Sequence, residues 1–218
     1  MKIISINTSV LKEVAYQGKT ILTGIFKTPT DQVAMVEKLN IINDQQGDLE
    51  NHGGLHKAVY AFSQHHYPYW CDALNSQELS PGAFGENLTV SHLDEANIQL
   101  GDQYQIGQCV LEVSQPRVPC FKLGLALNNK QAPKLFTQHF HTGVYFRVIT
   151  EGSIQIGDEL ELIKRVPNSV SVHDLFKAKF DKSFEGAQDI IKKAYPLDCI
   201  SPEWRQKVDK MYSKILVN

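Results

Sequence analysis

The segment SQPRVPCFKLG presents a single cysteine, Cys120, after two prolines and between two cations. Pro116 and Pro119 each fix one φ angle and bias the preceding residue toward extended geometry, so we expect Cys120 in a stiff, non-helical stretch after a strand. Arg117 and Lys122 are close enough in sequence to stabilise a thiolate or to hold an anionic group. These neighbours are compatible with a thiolate that binds a ligand, although most free cysteines are simply small buried residues. A small buried cysteine in a proline-stiffened loop is the alternative interpretation.

A second segment, NHGGLHKAVYAFS, places a glycine pair and a cation ahead of an apolar run. Gly53 and Gly54 let backbone N–H groups approach a ligand closely, and Lys57 lies just before the run. Backbone donors together with one cation commonly hold phosphate groups. His52 and His56 are candidate metal ligands in the same segment. A hairpin-like turn with exposed histidines is the alternative, because a glycine pair alone is a weak motif.

The segment SPGAFGENLTV carries two polar residues at the start of a strand-like run. Gly82 and Gly85 bracket a loop that leads to Glu86 and Asn87. An Asn side chain donates to a carbonyl and accepts from an amine, which suits the edge of a heterocycle. An Asx-type turn with a solvated Glu is the alternative.

Two further charges, Lys27 and Arg147, lie within apolar strand-like runs. Each either faces outward on an alternating strand or is buried against an anion. The pair His65-His66 invites a zinc interpretation, but adjacent helical residues point about 100° apart. The sequence also contains no HExxH, Walker A, GxGxxG or GxSxG motif. A zinc hydrolase is therefore disfavoured.

The composition is that of an ordinary soluble globular protein, with 218 residues, 42% hydrophobic and 21% charged. A net charge of −2 provides no general basic field, so nucleic acid is not expected as a partner. No apolar stretch approaches the roughly 20 residues of a membrane span or the core of a signal peptide, so we expect a cytoplasmic protein. The four cysteines are then reduced, and without a CxxC pair they indicate neither disulfides nor structural zinc.

Short β-like runs separated by turn signals fill the chain to about residue 165. Many short strands with few helices indicate a mainly β fold, either barrel-like or a sandwich. Two helices interrupt it, at 65–74 and 132–140. The predicted strands cover residues 3–6, 22–27, 58–63, 86–90, two runs around the turn at 107–108, 144–149 and 159–166.

After Pro167 the pattern changes to amphipathic helices, predicted at 171–180, 184–195 and 201–216. The sequence Ser201-Pro202-Glu203 gives the last helix a cap, a first-turn proline and an acidic residue at its positive end. This three-helix appendage is short for an independent domain, so we expect it to dock on the β-rich part or on a partner chain. Its aromatic residues fit a docked core face or a homodimer contact equally well.

The ordered set HGGLHKAVYAF, HYPYW, PGAFGENLT, GD and SQPRVPCFKL resembles the MOSC-domain proteins of the YiiM type. The helical tail resembles the 3-alpha domain that follows MOSC in this subfamily. The resemblance implies a MOSC β-barrel domain over residues 1–166 and a three-helix domain over 167–218.

The resemblance also implies a molybdenum cofactor of the molybdopterin type, with Cys120 as the protein ligand to the metal. The family's activity is reduction of N-hydroxylated compounds, including N-hydroxylated purine bases and amidoxime-like substrates. No flavin, haem or NAD motif is visible, so electrons are expected from a separate flavoprotein reductase. The candidate proton donors are Glu86, His56 and Arg117. The candidate cofactor-binding residues are Lys27, Gly53, Gly54, His56, Lys57, Asn87, Arg117 and Arg147.

Two other functions stay open at this point. One is a carrier module in which Cys120 holds a persulfide or the cofactor for delivery, although the chain has no room for the pyridoxal-phosphate domain of the sulfurases. The other is a phosphate- or nucleotide-binding protein whose cysteine is only structural. Fold resemblance alone does not choose between them.

Overall fold

A computed structural model describes residues 1–30, 33–47 and 53–217. His52, one of the candidate metal ligands, lies outside these residues. Most of the strands form one eight-stranded sheet in the order β12-β8-β9-β10-β6-β7-β1-β4. Its strands are β1 (Ile3–Thr8), β4 (Thr28–Thr30), β6 (Val59–Ser63), β7 (Leu88–Val90), β8 (Gln103–Ile106), β9 (Cys109–Pro116), β10 (Val144–Thr150) and β12 (Glu161–Lys164).

Two small sheets accompany the large one. A hairpin joins β2 (Lys12–Tyr16) to β3 (Lys19–Thr23), and β5 (Ala34–Val36) pairs with β11 (Gly152–Ile154). The sequence predicts a strand over 22–27, but the strand ends at Thr23. The chain then turns away because it packs against the segment around Gln45, so closely that a Cβ on Gly24 would lie 1.9 Å from the Gln45 carbonyl oxygen.

The mainly β fold is confirmed, but the described strands form an open ladder and not a closed barrel. One edge strand, β4, contains Pro29, which has no N–H to donate to a further strand. The other edge, β12, pairs only with β8 and is exposed along its length. An isolated bridge between Lys2 and Glu159 brings the start of β1 near this second edge.

The sheet is covered on both faces at β6, where every residue from Val59 to Ser63 is buried, as the apolar run predicts. One face contributes to the main core, and the other packs against an aromatic cluster that includes Phe62, Trp70, Phe84 and Phe136. Among the described residues of this part of the chain, the α-helices are α1 (Tyr67–Leu74), α2 (Phe121–Ala126) and α3 (Ala132–His139). The sequence predicts α1 and α3 but not the six-residue α2.

The tail folds into the three predicted helices, α4 (Val172–Phe180), α5 (Ala187–Ala194) and α6 (Pro202–Val217). Ser201 begins α6 as expected, since its hydroxyl accepts the Trp204 N–H at 3.3 Å. Trp204 is fully buried, and its indole Nε1 donates to the Pro116 carbonyl at 3.1 Å. The tail therefore docks on β9 of its own chain. No helix in the described ranges has the length and apolar character needed to cross a membrane.

Candidate functional site

Five of the predicted site residues line one cleft. It encloses about 620 Å³, counting its solvent-open mouth, and its walls come from the end of β3, residues 45–47, the start of β6 and the segment after β9. No carboxylate is among its described lining residues. The predicted members are Lys27, Lys57, Asn87, Arg117 and Cys120, and Lys122 joins them.

Cys120 is held in place by local backbone geometry. As the two prolines predict, it is extended, with φ −124° and ψ 176°. Helix α2, which the sequence does not predict, begins immediately after it. Its neighbour Phe121 stacks on Tyr16 at the end of β2, with ring centroids 4.4 Å apart. Cys120 is partly exposed and lines the cleft.

The other cysteines are placed differently. Burial raises the pKa of Cys109 to about 12, and burial also raises the pKa of Cys199. Neither of them lines the cleft, and neither does Cys71. The structure joins none of the four cysteines in a disulfide. Cys120 is thus the cysteine positioned to meet a ligand.

Arg117 places a buried positive charge beside Cys120. Its Nη1 donates to the Tyr60 hydroxyl at 3.2 Å, and its guanidinium carbon lies 4.7 Å from the Tyr60 ring centroid and 5.3 Å from that of Phe136. Burial acts to lower the pKa of Arg117, but Tyr60, Tyr145 and Cys120 outweigh it and the pKa is raised. The guanidinium therefore stays charged where it can favour a thiolate or another anion.

Lys27 forms a buried ion pair with Asp44 at the base of the cleft. Asp44 also accepts the Ser9 N–H and the Asn87 amide, each at 2.9 Å. Burial lowers the pKa of Lys27 even though Asp44 acts to raise it. Of the two predicted settings for Lys27, the buried one against an anion is confirmed, and the anion is a carboxylate of the protein.

The Asn87 side chain is already occupied by the protein. Its Nδ2 donates to Asp44 and its Oδ1 accepts the Tyr60 N–H at 3.1 Å, which leaves it 3% exposed. The amide therefore joins β6 to the loop that carries Asp44. It lines the cleft, but the structure gives it no spare donor pair for the edge of a heterocycle.

Lys57 is paired with a residue of the tail. Its Nζ lies 2.6 Å from Glu203 of α6, and the same carboxylate binds Lys207 at 2.6 Å. Burial acts to raise the pKa of Glu203, but the hydrogen bonds from Lys207 and Lys57 lower it to about 2. The sequence accounts for Glu203 only as a helix-start residue. Its contact with the cleft depends on how α6 docks, which no local pattern shows.

Glu86 lies behind the cleft and does not line it. Its fully buried carboxylate accepts hydrogen bonds from the Tyr67 hydroxyl, the Gly82 and Phe84 N–H groups and the Thr89 hydroxyl. The alternative of a solvated Glu in a turn is wrong, because the loop closes around the side chain. Burial raises the pKa of Glu86. Its geometry is that of a residue that organises the loop, without contact to the cleft that a proton donor needs.

Gly53, Gly54, His56 and Arg147 also lie outside the lining of the cleft. Arg147 donates to the Cys199 carbonyl and lies 3.5 Å from Glu112, so it connects β10 to the tail instead of facing a ligand. The His56 ring is on this same side, where burial and nearby Arg147 lower its pKa. Gly54 has φ +82° and begins the 3₁₀ turn Leu55–Lys57, a conformation that favours glycine.

Sequence reasoning missed Tyr60 and Tyr145, whose rings lie 5.1 Å apart at the inner wall of the cleft. The two residues are direct partners in the β6–β10 ladder. Both follow a valine in a strand-like run, in AVYAF and GVYFR, and this repeated Val-Tyr pair is the signal that was available. The pairing of the two strands was needed to use it.

Comparison with known proteins identifies the family of this chain. The MOSC domain model matches residues 48–161. A Bacillus subtilis (strain 168) protein, YflK, is 37% identical over 98% of this chain and 96% of its own length. A Gibberella moniliformis protein named Reductase is 34% identical over 68% of this chain but only 27% of its own length. The crystal structure of YiiM from Geobacillus stearothermophilus superposes with a TM-score of 0.79 at 30% identity, covering 97% of this chain and 98% of that one. The chain belongs to the MOSC-domain family.

Proposed function

We propose that this protein is an oxidoreductase that binds a molybdenum cofactor in the cleft and reduces N-hydroxylated compounds. Membership of the MOSC-domain family and the likeness to a fungal protein named Reductase support the oxidoreductase class. The observation that carries the proposal is the placement of the partly exposed Cys120 beside the charged Arg117, in a cleft with no lining carboxylate among the described residues.

The donor set fits a molybdopterin-type cofactor. A thiolate is a soft ligand suited to a thiophilic metal, and it binds only when deprotonated. The cofactor is anionic and carries phosphate, and Lys57, Arg117 and Lys122 supply cations in the same cleft. In the opposite wall, Gly24 and Gly47 allow two backbone segments to pack closely, since a Cβ at either position would lie within 3 Å of a carbonyl oxygen of the protein. Two carboxylates outside the lining hold lysines of the cleft in position: Asp44 pairs with Lys27, and Glu203 pairs with Lys57.

When bound, the molybdenum centre would supply the two-electron chemistry that converts an N–OH group to N–H and water. We assign Cys120 to hold the metal and Arg117 to keep the thiolate charged. The conversion also consumes two protons. Of the three predicted donors only Arg117 lines the cleft, and its raised pKa makes it retain its proton. We therefore assign proton delivery to water at the open mouth, and electron supply to a separate flavoprotein reductase.

Turnover tests the activity directly. Protein from a host that makes the cofactor is given a chemical reductant and an N-hydroxylated purine base, and formation of the amine is followed. Wild type and the control Cys71→Ala are expected to form the amine, and Cys120→Ala is not. If wild type containing molybdenum reduces no member of a panel of N-hydroxylated purines and amidoximes, the proposed activity is wrong.

The same preparations separate the two other functions. A carrier module predicts labile sulfur on Cys120 without bound metal. A phosphate-binding protein with a structural cysteine predicts that Cys120→Ala keeps wild-type affinity for its anionic ligand. Neither outcome is compatible with a cofactor that depends on Cys120.

A further inference from the structure

The structure also gathers a cluster of histidines that the cleft does not use. The described residues contain one group able to hold a metal ion, His66, Glu95 and His141, whose ligand atoms all lie within 4.8 Å of one another. The Glu95 Oε2 is 3.0 Å from His141 Nδ1 and 3.6 Å from His66 Nε2. These residues face a solvent-open pocket that shares no lining residue with the cleft.

The sheet topology explains why residues so distant in sequence meet. In the sheet, β10, β6 and β7 are neighbours; β6 and β7 run parallel and β10 runs opposite. His66 follows β6, Glu95 follows β7 and His141 precedes β10. All three residues therefore lie beyond the same end of these neighbouring strands. Their spacing forms no local motif, and only the strand order reveals the group.

The group is built like a metal centre. Four-coordinate zinc with bonds of about 2.05 Å separates neighbouring ligand atoms by about 3.3 Å, close to the two distances measured here. The second carboxylate oxygen of Glu95 accepts the Gly143 N–H at 2.9 Å, which fixes the orientation of the first toward the histidines. His66 and His141 are both accessible from the pocket, so an ion can enter.

A third histidine, His139, lies beside the group without lining its pocket. The Nε2 atom of His139 is buried and has no hydrogen-bond partner in the described parts of the chain. Its ring centroid lies 5.3 Å from the rings of both His66 and His141. A buried imidazole nitrogen without a partner is costly, so the surroundings of the group are not fully hydrogen-bonded within the described residues. His65, the residue before His66, does not join the group and packs against His92, with the two ring centroids 5.1 Å apart.

We propose that His66, Glu95 and His141 bind a divalent first-row transition ion, separately from the cofactor in the cleft. Two imidazoles and one carboxylate suit zinc, and three protein ligands leave a coordination position open to the solvent-filled pocket. The pair His65-His66 and the absence of HExxH and CxxC motifs, on which zinc was disfavoured, bear on neither Glu95 nor His141. His66 instead combines with residues from two other strand ends.

Equilibrium dialysis against Zn²⁺ tests this site in the purified full chain. Cys120→Ala serves as the background, so that the cleft thiol contributes no metal binding. The expected result is one ion per chain in this background. His141→Ala should weaken binding by more than about 100-fold, because loss of a ligand exceeds the usual loss from a supporting residue. His92→Ala is the matched control, because His92 lines the same pocket but does not belong to the group. It should bind Zn²⁺ as tightly as the Cys120→Ala background does.

Binding of Co²⁺ provides a readout that needs no ligand variant. Visible absorption bands typical of tetrahedral cobalt with nitrogen and oxygen ligands are expected in the Cys120→Ala chain, and Zn²⁺ should abolish them. The proposal is wrong if this chain binds no stoichiometric zinc and shows no such bands. It is also wrong if folded His141→Ala binds zinc as tightly as His92→Ala. Turnover in the cleft is measured separately, so neither result depends on the molybdenum cofactor.

Discussion

At the scale of single residues, Glu86 is a carboxylate that holds a loop in place without lining the cleft. Its two oxygens accept hydrogen bonds from one hydroxyl of α1, two backbone N–H groups and one hydroxyl of β7. An ionised carboxylate accepts at both oxygens, whereas an amide must donate at one end. The residue therefore fixes the loop from Gly82 to Glu86, which supports one side of the cleft.

Glu86→Gln is expected to reduce the free energy of unfolding by about 2 kcal/mol, because an amide N–H would oppose a buried donor. Urea denaturation measures the loss, and Glu78→Gln on the exposed surface should change stability by less than about 0.5 kcal/mol. Turnover per folded molecule should equal that of wild type. A folded Glu86→Gln variant with wild-type stability but no turnover would instead support a role as proton donor.

Only glycine fits at position 24, because the backbone there packs directly against the Gln45 carbonyl in the wall of the cleft. Gly24→Ala would place a methyl group 1.9 Å from the Gln45 carbonyl oxygen, so the two segments must separate. We expect a loss of about 1–3 kcal/mol in unfolding free energy, measured by urea denaturation, together with reduced cofactor retention. Gly186→Ala, which meets only the flexible Phe184 ring, is the control and should lose less. Equal stability of the two variants would contradict this description of the wall.

At the scale of elements, α6 attaches the tail to the sheet through one aromatic residue. Trp204 is fully buried and donates to the carbonyl at the end of β9. Trp204→Ala is expected to cost about 3–5 kcal/mol in a urea unfolding curve, while Leu216→Ala on the exposed end of α6 should cost less than about 0.5 kcal/mol. A loss at Trp204 no larger than that at Leu216 would mean that the tail does not dock as described.

The same helix links the tail to the cleft through Glu203. Its pKa in the folded protein is about 2, against 4.5 for an ordinary glutamate, so its ion pairs stabilise the fold above pH 4.5. That contribution is lost as the pH falls from about 4.5 toward 2, because the carboxylate becomes protonated. The Tm difference between wild type and Glu203→Gln should therefore be largest near neutral pH and shrink through this range. A difference that does not change with pH would contradict the ion pairs.

Local patterns predict most elements but not their contacts. The apolar run at 58–63 and the capped helix at Ser201 are found as predicted, because burial on both faces and capping are visible in a few consecutive residues. The short strands β2, β4, β5 and β11 and the helix α2 were not predicted. They are three to six residues long, and their pairing partners or packing, not their own propensity, hold them in place.

At the scale of the whole molecule, the site residues that depend on local sequence could be predicted, and those that depend on long-range contacts could not. Cys120 and Arg117 could be predicted because the prolines and the cation lie beside the thiol in sequence. Asp44 and Glu203 could not, because they reach the lysines only after distant segments pack together. Arg147 and Glu86 share apolar strands or Gly-rich loops with the true lining residues, but face away from the cleft. The direction of a side chain depends on sheet register and loop closure, which the sequence alone does not show.

The proposed division into a MOSC domain over 1–166 and a three-helix domain over 167–218 stays a prediction, as does the cytoplasmic location. The contacts of Trp204 and Glu203 nevertheless join the tail to the β-rich part and to the edge of the cleft. A protein lacking the tail should consequently lose both stability and the ion pair that positions Lys57.

We assign Cys120 as the residue that holds the metal of the cofactor, and the molybdenum content of the purified protein tests this assignment. Wild type and Cys71→Ala from a host that makes the cofactor should each contain about one molybdenum per chain by mass spectrometry, whereas Cys120→Ala should contain almost none. The account is contradicted if folded Cys120→Ala retains as much molybdenum as wild type, or if wild type from that host contains none.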